Sequence, residues 1–133
     1  MTAIRIRDAA ALLGVSDDTV RRWVATGVLE TSDDGPVATV DGARLAALAR
    51  ERAVAPDDGA SVGRSARNRF TGLVTDVRTD AVMAQVTLQC GPFEVTSLMS
   101  ADAVRELDLR PGVVATAVVK ATTVIVETNR ENR

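Results

Sequence analysis

With 133 residues, 46% hydrophobic and 26% charged, the chain has a folded protein's composition, but its core must come from Ala, Val and Leu because only Trp23, Phe70 and Phe93 are aromatic. The formal net charge of −2 divides evenly, with 7 basic and 8 acidic side chains over residues 1–52 against 9 and 10 over 53–133, so any DNA contact must come from locally placed arginines. The absence of histidine and the single cysteine, Cys90, exclude imidazole catalysis, clustered metal ligands and an intrachain disulfide; an enzyme is not expected, and with no signal-peptide core or apolar run of roughly 18 residues the expected location is cytoplasmic, off the membrane.

In chain order, "IRIRDAAALLGV" predicts a short helix capped by Asp8 and ended by Gly14. Ser16 then caps a second helix, "DDTVRRWVATG", whose aspartates suit the positive end of the helix dipole and which Gly27 stops. Its stripe of Val20, Trp23 and Val24 faces a core, leaving Asp18, Arg21, Arg22 and Ala25 outward. Taken alone, the Arg21–Arg22 pair also reads as a solvated helix face. "VLETSDDGPVATV" alternates around a DDGP turn as a hairpin, and Asp41 caps the helix "GARLAALARER".

Residues 53–64, "AVAPDDGASVGR", carry the Pro, Gly and Asp of a flexible linker between a first module, 1–52, and a second, 65–129. In "VMAQVTLQC" the set Val82, Ala84, Val86, Leu88, Cys90 alternates with polar neighbours as a half-buried strand, with Cys90 as a small core residue. Gly91 and Pro92 turn the chain into "FEVTSLMS", and Ser100 caps a helix with Ala103, Val104 and Leu107 inward. Two closing strands, "VVATAVV" and "TVIVET", complete a small OB-like β-barrel. The expected fold class is α+β, a mainly helical winged helix-turn-helix followed by that barrel. Cores built from small side chains bury little area, so both modules are marginal alone and self-association is expected.

The segment "DAAALLGVSDDTVRRWVATGVLE" resembles the MerR and excisionase type of winged helix-turn-helix, over residues 4–52. That resemblance implies a DNA-reading second helix with Thr19, Arg21 and Arg22 as contacts. The hairpin departs from it, because Ser32, Asp33 and Asp34 stand where such wings are basic and carboxylates are repelled by phosphates.

From Ser65 to Thr128, "SARNRFTGLVTDV", "VTSLMS", "LDLRPG" and "VVKATT" resemble the Mop or molbindin (TOBE) domain in order and spacing. The resemblance implies binding of molybdate, or tungstate, as an oxyanion rather than a metal ion, through Ser65, Ala66, Arg67, Asn68, Lys120, Ala121 and Thr122. It further implies that the two segments meet across a subunit boundary in a homo-oligomer, at least a dimer and up to a hexamer. A tetrahedral dianion needs several convergent donors and positive charge, which a guanidinium, an ammonium, hydroxyls and backbone amides supply; alone, "SARNRF" would read as a solvated strand start, with Asn68 holding its turn. The two resemblances together imply a molybdate-responsive transcription regulator, similar in logic to ModE; the competing class is a cytoplasmic molybdate store whose first module serves assembly or protein contacts.

Overall fold

The computed structural model describes residues 2–54 and 66–129; most of the expected linker, and Ser65 with it, lies outside the described residues. The chain divides into two compact units, Met1–Val54 and Ala55–Arg133.

The first unit runs β1 (Ala3–Arg5), α1 (Ile6–Leu13), α2 (Asp17–Ala25), β2 (Thr31–Ser32), β3 (Thr39–Asp41) and α3 (Gly42–Arg52). Ser16 caps α2 by accepting the Thr19 N–H, and Asp41 caps α3 by accepting those of Ala43 and Arg44. Gly14, at φ 68°, closes α1 in the left-handed conformation that glycine adopts without cost. Asp8 is not the cap expected of it. α1 begins at Ile6 behind an uncapped Arg5, and Asp8 sits within its first turn. The reason is β1: "AIR" pairs antiparallel with β3, Arg5 opposite Thr39, and the strand runs straight into the helix. Ala9, Ala10, Val20, Trp23, Leu29, Val40, Leu45 and Leu48 form the core, and Arg52 closes it by stacking 4.9 Å from the Trp23 ring centroid.

The second unit runs β4 (Asn68–Thr79), β5 (Met83–Cys90), β6 (Phe93–Ser100), α4 (Ala101–Glu106), β7 (Val114–Val119) and a 3₁₀ turn (Ala121–Thr123). Its sheet is antiparallel in the order β6-β5-β4-β7. β4 changes partner along its length. Residues 68–73 pair with β7 and residues 73–79 with β5, with a bulge between Val74 and Asp76, so the sheet curls. Gly72 sits at that bend, and a Cβ there would lie 2.2 Å from the Gln89 carbonyl oxygen and 2.8 Å from the Cys90 sulfur. Val74, Ala84, Val86, Leu88, Cys90 and Val104 fill the concave face.

Three expectations for this unit require correction. Val82 is 70% exposed, because β5 starts only at Met83 and the Asp80 turn holds residue 82 outside the sheet. Leu107 is 63% exposed because α4 ends at Glu106; Ala101 takes the inward place instead. "TVIVET" forms no strand: residues 124–129 follow the 3₁₀ turn without a ladder, leaving Ile125 and Val126 solvent-exposed. The sheet is therefore a four-stranded half-barrel rather than a closed barrel, since no strand among the described residues bridges β6 to β7.

Gly72→Ala is expected to destabilise this unit by about 1–3 kcal/mol, at the upper end because the atom met is backbone, with a matching drop in urea midpoint. A second expectation concerns Asp80, whose carboxylate accepts the N–H groups of Met83 and Val82, each at 2.8 Å. Those bonds, Met83 first, hold it below the ordinary 3.8. A depressed folded-state value makes the contribution fully present above the unfolded value and lost as pH falls through the folded one. Asp80→Asn should flatten the loss of stability below about pH 4, measured by thermal melts across pH.

Candidate functional site

The β4–β7 ladder sets the geometry of the second unit's site. Asn68 stands opposite Val119, and its Nδ2 donates to the Val119 carbonyl at 3.1 Å. Arg67 immediately precedes that pair and Lys120 immediately follows it, so the antiparallel register leaves the two cationic segments side by side within one chain. Because β4 and β7 are neighbours, one chain already sets the start of the Asn68 strand beside the end of the Val119 strand, where Arg67 and Lys120 attach.

Beyond Val119 the chain makes its 3₁₀ turn. The Lys120 carbonyl accepts from the Thr123 N–H at 3.0 Å and from its Oγ1 at 2.9 Å. The Thr123 hydroxyl is thereby occupied, whereas Thr122 is exposed and its hydroxyl has no hydrogen bond among the described residues. The first amides of such a turn, here those of Ala121 and Thr122, have no acceptor within it. Asn68 serves as a clamp between strands, with its amide spent on Val119.

The charge distribution singles out two of these residues. Arg78 pairs with Asp76, Arg105 with Asp102 and Arg110 with Asp108, each within three residues in sequence. Arg67 and Lys120 are exposed, and among the described residues neither has a carboxylate partner. Lys120 is also the only lysine among the chain's 16 basic side chains. A planar fork and a compact ammonium stand together with nothing anionic on them.

In the first unit, the residues expected to read DNA separate. Thr19 is turned into the capping of α2: its Oγ1 lies 3.0 Å from the Ser16 Oγ, to which its N–H also donates. Arg21 makes a solvent-screened ion pair with Asp18 at 3.6 Å, and Arg22 is exposed without a partner among the described residues. Two basic residues that sequence reasoning missed, Arg5 and Arg7, line one groove with Arg21. The alternation in "IRIR" was the available signal: across the β1–α1 junction Ile4 and Ile6 are half-buried while Arg5 and Arg7 are exposed.

Residues 64–126 match the model of the TOBE domain. Over 63 residues the chain is 41% identical to molybdenum-pterin-binding protein 2 of Clostridium pasteurianum and 38% identical to protein 1 of the same organism. Each alignment covers 47% of this chain and 93% of the relative. Among solved structures, the molybdate-binding protein of Sporomusa ovata is 33% identical, with TM-score 0.49, covering 50% of this chain and all of that one. The cytoplasmic molybdate-binding protein ModG, solved with molybdate bound, is 46% identical, with TM-score 0.48, covering 51% of this chain and 49% of that one. Through its second unit, the chain belongs to the TOBE domain family.

Proposed function

We propose that this TOBE-family chain binds molybdate, or the similarly sized tungstate, and uses it to control a DNA-reading first unit. The observation that carries the ligand assignment is the adjacency of Arg67 and Lys120, neither with a carboxylate partner among the described residues, in a unit where Arg78, Arg105 and Arg110 pair locally. Around them stand the Thr122 hydroxyl and the leading amides of the 3₁₀ turn, which are donors only a short distance in sequence from the ammonium. The donors fit a tetrahedral dianion in number and charge, and relatives that share this unit are named molybdenum-pterin-binding proteins.

Assembly follows from what the half-barrel leaves open. The mouth between β6 and β7 is an apolar cleft of about 260 Å³ lined by Val95, Met99, Leu109, Ala115 and Ala117 among others. Val124, Ile125 and Val126 leave the 3₁₀ turn exposed by 45%, 86% and 83%. A tail of this pattern seated in the mouth of a second copy would pair both open edges and bury both apolar surfaces, making a homo-oligomer. The oxyanion residues sit at the root of that tail, so the ligand would lie at a subunit boundary although its cationic pair comes from one chain. Ligand acting on assembly needs no rigid linker, because anything that binds only the assembled form favours it by mass action.

The DNA-reading role rests on the first unit, which we read as a winged helix-turn-helix: two short helices joined by Gly14–Ser16, a β2–β3 hairpin after the second, and exposed Arg21 and Arg22 on that second helix. A storage function is the second reading, favoured by the acidic hairpin tip, Asp33 and Asp34, and by relatives that consist of little more than the second unit. Neither reading requires catalysis.

Titration calorimetry should show molybdate binding that falls at least tenfold in Arg67→Ala and in Lys120→Ala, as expected for losing a hydrogen bond to a charged group. Undiminished affinity in both would refute the site. Molybdate should also protect the single lysine from amine-reactive labelling, read by peptide mass. In mobility shifts with DNA selected on the wild-type protein, Arg22→Ala should lose sequence-dependent binding and molybdate should alter the apparent Kd; no DNA retained in the selection favours the storage reading.

A further inference from the structure

The β1–α1 junction puts two arginines where local energetics disfavours them. Arg5 is the residue before α1 and Arg7 the second residue within it, at the helix's positive end, with Asp8 as the only acidic residue of that turn. Neither guanidinium has a hydrogen bond or a carboxylate partner among the described residues. Cations so placed lack a counterpart, and an external anion supplies one.

The geometry around them defines what kind of anion. Arg5 and Arg7 share a groove of about 490 Å³ with Arg21 of α2, and Val37 and Ala38, on the return side of the hairpin, also line it. Arg5 is fixed there by its register opposite Thr39, and Ile4 and Ile6 anchor the strand by packing on the core. One carboxylate, Asp17, also lines the groove, against three guanidiniums. Arg21 is shared only with Asp18, in a pair whose side chains are 61% and 93% exposed and which water screens. The acidic tip residues Asp33 and Asp34 are not part of the lining. Nor is Arg22, which the helical repeat turns about 100° from Arg21.

We propose that this groove is a phosphodiester clamp, in which Arg5, Arg7 and Arg21 hold backbone phosphates of duplex DNA. The duplex crosses the start of α1 and the base of the hairpin, not its tip. The proposal rests on the DNA-reading function above and names the surface that carries it. It removes the conflict posed by the acidic hairpin, since the tip need not approach phosphate. It also divides labour: the groove positions the backbone, and Arg22, outside it, is left for base edges.

Backbone contacts have a signature that a structural role lacks, a change in salt dependence of about 0.9 per phosphate neutralised. The test is fluorescence anisotropy of the full chain with a labelled duplex of about 24 base pairs of mixed sequence, at roughly 25 to 200 mM KCl. Arg5→Ala/Arg7→Ala should weaken binding at least tenfold and lower the slope of log Kd against log salt by nearly 2, equally for any duplex sequence. Arg5→Lys/Arg7→Lys should restore most of the slope, because charge rather than fork geometry sets it. Arg50→Ala, on α3 outside the groove, should leave it unchanged. If the alanine pair keeps the wild-type slope while Arg22→Ala weakens selected DNA, the clamp is wrong and the DNA-reading function stands. If the wild-type chain binds no duplex at the lowest salt, both fall together.

Discussion

The change of partner within β4 is the constraint on which the second unit depends. A strand that pairs with β7 over one half and β5 over the other must bend, and Gly72 permits the bend because the Gln89 carbonyl occupies the space of a Cβ. The bend fixes the register of β7, and the register fixes which residues flank Asn68 and Val119. A slip of one residue would turn Val74 and Ala115 outward and carry Lys120 away from Arg67. The apolar face of Val74, Val86 and Leu88 resists that slip, so the core and the cationic ledge are consequences of one pairing.

Charge acts here by what is left over. Exposed pairs such as Asp76 with Arg78 add little stability, but they neutralise the arginines that take part in them. Among the described residues, those left without a carboxylate partner include Arg67 and Lys120 in one unit, and Arg5, Arg7, Arg22 and Arg50 in the other. On the functions proposed above, a nearly neutral chain holds two separate anion-seeking surfaces without the basic excess usual in nucleic-acid binders.

Local chemistry was legible in the sequence, and long-range pairing was not. Ser16, Asp41 and Ser100 cap helices as their spacing implies, and the alternation from Ala84 to Cys90 marks the inner face of β5. Each rests on neighbours within a few residues. β1 escaped notice because three residues carry almost no periodicity; it exists only because β3 offers an edge some 35 positions away. "TVIVET" reads as a strand by composition and forms none among the described residues, because a strand is a property of a pair and neither open edge of the sheet pairs with it. The cationic segments themselves were legible through resemblance, whereas their adjacency within one chain belongs to the β4–β7 register.

The same unpaired tail bears on how a ligand signal could leave the second unit. A linker with the Gly, Pro and Asp content of residues 53–64 transmits orientation poorly. The 3₁₀ turn has no such weakness: on the function proposed above, Lys120–Thr122 hold the anion, and within two residues the exposed Val124–Val126 begin. Fixing the turn fixes the direction in which the tail departs, and removes conformational freedom that seating in another copy would otherwise cost. Oxyanion binding and subunit exchange then draw on the same few residues. Since two DNA-reading units gain affinity from being held together whatever their mutual rotation, provided the linkers span the sites, control through assembly is the route this chain's physics favours.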